Sequence, residues 1–167
     1  MAAGPSAAAT VATIASIRFS HVVMIPDGET RRLFDELRSH PQVRVLCPAR
    51  EGEGVAIAAG LWVGGAKPLV VLQNTGLMEA GDSVRGCGLG PRIPLRLMVG
   101  WRGYPGAKAG RLPLDSAFTY TEPILDAWGI PYSLLMEDRD LAALAAMDQI
   151  AEETSRPAAV LFGWPFR

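Results

Sequence analysis

Apolar positions along this chain switch repeatedly between two periods. Val11, Ile14 and Ile17 recur at helical spacing ahead of a short run, residues 21–25, that suits a first strand stopped by Pro26. Leu33, Phe34 and Leu37 then mark the buried stripe of a helix that Asp27, Glu29 or Thr30 can cap and that His40-Pro41 ends. A second strand is expected over residues 43–47. From Arg50 onward the chain reads as a turn into a helix that begins near Glu51, because Val55, Ala58, Ala59 and Trp62 fall at i, i+3, i+4 and i+7. Glycine and alanine elsewhere in that helix allow close packing. Gly64-Gly65 and Pro68 end it before the unbroken apolar run 69–72, the pattern of a strand covered on both faces. Residues 73–76 read as a turn, 77–89 as a helical segment and 94–99 as a strand. Residues 100–117 read as a long loop, rich in glycine, proline and basic residues and poor in apolar anchors. A helix over 121–128, a strand over 132–136, a helix over 141–154 and a strand over 158–162 complete the series. Residues 1–6 are expected to be a flexible tail.

Strands alternating with helices predict an α/β fold: one three-layer domain over residues 1–167, with a mostly parallel sheet of about six strands. Ligands of such sheets gather beyond the carboxyl ends of the strands. That rule selects Pro26 and Asp27, residues 48–51, residues 73–76 and residues 100–103. The hydrophobic fraction of 49% in 167 residues is ample for a core. With 16 basic and 17 acidic residues, the charge balance gives no electrostatic case for a nucleic-acid or membrane-surface partner. Cys47, in an expected core strand, and Cys87, in a glycine-rich segment, make neither a metal-ligand spacing nor a disulfide framework, which fits a reducing cytoplasm. The alanine-rich start lacks a basic segment and is broken by Pro5, Ser6 and Thr10, so it is not read as a signal peptide. No apolar run reaches membrane-spanning length. No G-x-G-x-x-G follows the first strand, which disfavours a dinucleotide site. Glu51 and Glu53 suit a first helical turn through the helix dipole alone.

The stretch PAREGEGVAIAAGLWVGGAKPLVVLQNTGL, followed by IPLRLMVGWRGYPG and ILDAWGIPY, resembles the alpha subunits of sulfopyruvate decarboxylase and the matching half of phosphonopyruvate decarboxylase. The likeness runs from about Val22 to the C-terminus. Glu51, nine residues before Gly60 with small residues between, is similar to the glutamate-bearing helix of thiamine diphosphate enzymes. The resemblance implies a pyrimidine-binding fold. It also implies that Glu51 hydrogen-bonds the cofactor's aminopyrimidine ring and so activates its thiazolium carbon. Pro26 and the Gln73-Asn74-Thr75-Gly76 turn, which resembles the family's QNSGLG turn, are then expected beside the cofactor, and Asp27 beside the substrate for proton transfer. Arg50 and Arg102 are candidates for gripping an acidic substrate tail, since guanidinium groups pair well with oxyanions.

Two departures shape the functional expectation. The family's loop after WRG runs on to a histidine, and here residues 104–117 contain none, leaving His21 and His40 at places that suit structural roles. The family holds the cofactor's diphosphate and magnesium with Gly-Asp-Gly and a later asparagine, whereas this chain has only Gly81-Asp82-Ser83, and its one asparagine, Asn74, comes earlier. No metal ligand is therefore expected in this chain. Thiamine diphosphate and magnesium are expected to be completed by a beta-type subunit bearing that motif, in a hetero-oligomer active only when both chains meet. The implied activity is decarboxylation of a small acidic 2-oxo acid resembling 3-phosphonopyruvate or 3-sulfopyruvate. Carboligation, and a non-catalytic partner-binding role, are the alternatives.

Overall fold

A computed structural model describes residues 4–111 and 115–167. Its strands, β1 (His21–Met24), β2 (Arg44–Leu46), β3 (Pro68–Gln73), β4 (Arg96–Gly100), β5 (Tyr132–Leu134) and β6 (Ala158–Phe162), form one sheet in the order β2-β1-β3-β4-β6-β5. Every neighbouring pair is parallel. Such a sheet needs a crossover after each strand, and the crossovers cover both its faces. Side chains alternate across it accordingly. Val22, Met24, Leu69, Val71, Met98 and Val160 meet helices α1 (Ala7–Ser16), α2 (Arg31–Arg38) and α8 (Ala142–Thr154) on one side. Val23, Val70, Leu72, Leu97, Val99 and Leu161 meet α3 (Glu51–Val63), α4 (Asn74–Glu79) and α7 (Ser116–Trp128) on the other. The result is the three-layer α/β architecture that the hydrophobic pattern predicts.

Four local expectations are corrected. The run 43–47 is an edge strand hydrogen-bonded only to β1, so Leu46 and Cys47 are exposed and Cys47 is not a core residue. Of the expected tail, residues 1–3 lie outside the described residues, and residues 4–6 are docked: Gly4 and Pro5 are buried. Arg167 N donates to Pro5 O at 3.2 Å, Ala7 N to Arg167 O at 3.0 Å, and Ser6 Oγ caps α1 by accepting from Ala9 N at 3.3 Å. Residues 74–76 are not a free turn but the first turn of α4, which continues through α5 (Gly81–Ser83) and a π-helical turn, Val84–Leu89. Finally, the expected loop 100–117, of which residues 112–114 lie outside the described residues, has apolar anchors in its described part. Trp101 is 6% exposed and lies 5.1 Å, centroid to centroid, from both Tyr104 and Phe118. Tyr104 opens the short helix α6 (Tyr104–Lys108) and meets Trp164 edge-on at 6.1 Å.

At the amino end of β4, opposite the expected site, Arg96 is 1% exposed and pairs with Asp148 at 3.1 Å and with Glu152. Lys67 joins the same Asp148 at 2.6 Å. This network pins α8 to the sheet. Among the described residues no helix is long and apolar enough to cross a membrane.

Candidate functional site

Helix α3 begins at Glu51, after the short turn that follows β2, where Arg50 is the last extended residue and two glutamates sit in the dipole-favoured first turn. Glu53 is used locally, accepting from Ala49 N at 2.8 Å. Glu51 is half-buried and takes a different course. Its side chain lies across Gly76, in the first turn of α4. A Cβ placed on Gly76 would sit 2.5 Å from Glu51 Cγ and 2.7 Å from its Oε1. Only glycine leaves room there. Among the described residues no hydrogen bond or ion pair engages the Glu51 carboxylate, whereas neighbouring Arg50 is consumed by Glu79, Nε to Oε1 at 2.9 Å. Glu79 also accepts from Gly52 N at 2.8 Å, and these two donors, Arg50 foremost, hold its carboxyl below the usual carboxylate range. The Arg50 guanidinium thus ties α3 to α4.

A second group gathers at the carboxyl ends of β1, β3 and β4. Asp27 Oδ1 accepts from Glu29 N at 2.9 Å and from Thr30 N and Oγ1 at 2.8 Å each, while Oδ2 accepts from Gln73 Nε2 at 3.0 Å. Gln73 Oε1 in turn accepts from Thr75 Oγ1 at 2.8 Å and from Arg102 Nη1 at 3.3 Å. Arg102 Nε pairs with Asp115 at 2.6 Å. Asn74 is fully buried, donating to Arg102 O and Thr121 Oγ1 at 3.2 Å each and accepting from Thr75 N at 3.0 Å. Pro26, half-buried, ends β1 and borders an open cleft of about 420 Å³ with Asp27, Arg31 and Phe34. The structure therefore brings Glu51 to Gly76, and Asp27 and Arg102 to Gln73, through one continuous segment. Arg50 is directed to Glu79 instead.

Sequence reasoning passed over one member of this group, reading Glu29 only as a possible cap. Its carboxyl is half-buried over the end of β4, where a Cβ on Gly100 would lie 3.2 Å from Glu29 Oε2 and 2.9 Å from Phe162 Cζ. Burial, and then the nearby Asp27 carboxylate, push its pKa up from 4.5 to about 7, against the opposing pull of Arg102. The only sequence signal was an acid in the turn that follows β1, five residues past Met24. Its burial depends on Gly100 and Phe162, far along the chain. Asp82, in the imperfect Gly-Asp-Ser motif, has an 88% exposed side chain and pairs with Arg85 at 2.6 Å. Among the described residues no group of three or more His, Cys, Asp or Glu side chains is placed to hold a metal ion.

No family model matches the chain. It is 30% identical over 118 residues to the sulfopyruvate decarboxylase of Methanosarcina acetivorans, covering 70% of this chain and 29% of that protein. It is 30% identical over 141 residues to the phosphonopyruvate decarboxylase of Streptomyces viridochromogenes, covering 80% of this chain and 34% of that protein. It is 23% identical over 112 residues to the sulfopyruvate decarboxylase subunit alpha of Methanococcus maripaludis, covering 66% of this chain and 65% of that subunit. The match thus spans about a third of the first two relatives' length. The residues that lie together around Gln73 and Gly76 accordingly belong to a chain whose homologues are sulfopyruvate and phosphonopyruvate decarboxylases, an alpha subunit among them, at modest identity over much of its length.

Proposed function

We propose that this chain is the pyrimidine-binding subunit of a thiamine diphosphate-dependent decarboxylase acting on a small acidic 2-oxo acid of the 3-phosphonopyruvate or 3-sulfopyruvate kind. The observation that carries the reading is Glu51: a half-buried carboxylate without a partner among the described residues, laid over a glycine whose missing side chain makes its position possible. A carboxylate placed so is free to meet a ring nitrogen. The cofactor, when bound, supplies the electron sink that amino-acid side chains lack for loss of carbon dioxide from a 2-oxo acid.

The chain's own residues divide the remaining work. Glu51 holds the proton shared with the aminopyrimidine. Asn74, through its buried hydrogen bonds, fixes the start of α4 and with it Gly76. Pro26, Asp27, Gln73 and Thr75 line the approach at the ends of β1 and β3, and Arg102, already held by Gln73 and Asp115, offers a cation for an acidic substrate tail. Arg50 would need to leave Glu79 to serve that tail, so it is the weaker candidate. The diphosphate and its magnesium require oxygen ligands in near-octahedral order. The exposed, Arg85-paired Asp82 does not offer them, so that end of the cofactor is assigned to a second, beta-type chain bearing Gly-Asp-Gly and asparagine, with the active site between the two.

The test is co-expression with a candidate beta-type chain, followed by magnesium-dependent cofactor binding and release of carbon dioxide from 3-phosphonopyruvate and 3-sulfopyruvate. Activity is expected only in the mixture. Full turnover by the lone chain would overturn the split site. Glu51→Gln should slow exchange of the thiazolium proton by orders of magnitude with the fold intact, and unaltered exchange in that variant would remove the basis of the assignment.

A further inference from the structure

Replacing carbon dioxide by hydrogen needs a proton at the carbon that loses it, delivered by a group that can hold one near neutral pH. Neither histidine is placed for this. His21 starts β1 and is bonded to Ser20 at 2.9 Å, and His40 follows α2, so both lie toward the amino edge of the parallel sheet. At the carboxyl edge stand two acids on one turn, in contrasting surroundings. Asp27 spends both oxygens on four hydrogen bonds, from Glu29 N, Thr30 N, Thr30 Oγ1 and Gln73 Nε2. Glu29 takes none at its carboxyl among the described residues, lying instead over Gly100 at the end of β4, where the Phe162 ring of β6 also packs.

We propose that Glu29 is the proton-carrying carboxyl of this site, with Asp27 as the anchored acid that shapes the turn beneath it. The inference rests on the decarboxylase reading above. In the step concerned the Glu29 O–H bond breaks as the C–H bond of the aldehyde product forms, and the carboxylate left behind regains its proton from water. One 2-oxo acid anion and one proton thereby give one aldehyde and one carbon dioxide. Opposed environments for two neighbouring carboxyls are the pattern by which acid and base duties are divided in enzyme sites. The charged groups facing Glu29 are Asp27 on its own turn and Arg102 beyond β4; burial first, and Asp27 with it, raise its pKa to about 7 against the pull of Arg102. From β6 the uncharged Phe162 ring shares the space over Gly100, and from the C-terminal segment the backbone N–H of Phe166 donates to Glu29 O at 3.1 Å; Arg167 next to it is engaged with Asp138. A carboxyl so placed is present in both protonation states at neutral pH, which a proton carrier requires.

Two measurements test this. In the isolated wild-type chain with 13C-labelled glutamate, one carboxyl resonance should titrate near pH 7 and be missing from Glu29→Gln; titration of Glu29 in the ordinary carboxylate range overturns the proposal without any assembled enzyme. In the enzyme assembled with its partner chain, Glu29→Gln should release carbon dioxide in a first turnover near the wild-type rate but form aldehyde about 100-fold more slowly, and should lose the inflection near pH 7 in the aldehyde profile. Wild-type aldehyde formation and an unchanged profile in Glu29→Gln would overturn the role while leaving the decarboxylase reading intact. A wild-type assembly that releases no carbon dioxide from either substrate would instead overturn that reading, and the role resting on it.

Discussion

Gly76→Ala probes the contact on which the site depends. The added methyl would fall 2.5 Å from Glu51 Cγ, 2.7 Å from Oε1 and 2.8 Å from Cδ, so the glutamate must swing away. Two opposing terms act on stability. Alanine in place of glycine inside a helix contributes about 1 kcal/mol, and crowding at a packed site costs about 1–3 kcal/mol. Because the displaced group is a half-buried side chain rather than backbone, the crowding term sits at its lower end and the net change stays within about 1 kcal/mol of zero. Function responds differently. A shift of about an ångström in a positioned group can cost on the order of 100-fold in rate. Urea unfolding of the isolated chain and thiazolium proton exchange in the assembled enzyme separate the two effects. Gly60→Ala is the stability reference, since nothing lies within 4 Å of a Cβ placed there and it should gain close to the full helical increment. If Gly76→Ala gains as much as Gly60→Ala and exchanges protons at the wild-type rate, Glu51 does not lie over Gly76 and the argument fails.

Glu29 should also leave a mark on stability. Its folded pKa of about 7 exceeds 4.5, so the folded chain binds more protons between those values, and its contribution is complete below about pH 4.5 and lost as pH rises to about 7. At ~1.4 kcal/mol per pH unit the ceiling is about 3 kcal/mol, which partial exposure reduces to about 1–2; urea unfolding at pH 5 and pH 8 should show this slope, and Glu29→Gln should flatten it. Asn74→Ala should cost about 1–3 kcal/mol by leaving Arg102 O and Thr121 Oγ1 without their buried donor, and Asn74→Asp should cost more, since a carboxylate cannot donate to either; equal stability of Asn74→Asp and wild type would contradict the assigned bonds. Asp148→Ala should destabilise by about 1–3 kcal/mol because it removes one of the two carboxylate partners of buried Arg96 and leaves its Nε without an acceptor, and adding Arg96→Met should recover much of the loss in the same denaturation assay.

The layers of this fold were legible because a parallel sheet covered on both faces writes unbroken apolar runs. Leu69 to Leu72 and Ala158 to Phe162 are such runs, and both are central strands. The same signal misled at residues 43–47, since period says nothing about whether a strand has one neighbour or two. Residues 100–117 looked unanchored because Trp101, Tyr104 and Phe118 follow no helical or strand period. They pack on one another and on Trp164, which the sequence places far away. The likeness to the decarboxylases marked Glu51 and the Gln73 to Gly76 segment separately, but that one lies across the other depends on how α3 and α4 approach. Glu29 was hidden for a similar reason: its surroundings come from β4 and β6, and a turn acid shows nothing of them.

Everything in the candidate site passes through four residues at the end of β3. Strand β3 lies between β1 and β4, in register from Leu72 with Val99 and from Gln73 with Gly100, so its last residue cannot move without disturbing both neighbours. Gln73 uses that fixed position to reach Asp27 through its amide nitrogen and Arg102 through its oxygen, joining the ends of β1 and β4. Asn74 must then donate twice and accept once. The Thr121 hydroxyl spends its own proton on Ala117 O at 2.6 Å and has only a lone pair to offer. Asparagine meets these demands at once, and in doing so orients the first turn of α4. Two residues on, the chain has to pass directly beneath Glu51, where any side chain would collide. A buried amide that locks the turn and a glycine that clears it are thus one device. Its effect is to hold the Glu51 carboxylate at Gly76 and the Asp27 carboxylate at Gln73, three residues apart on one segment anchored by the sheet.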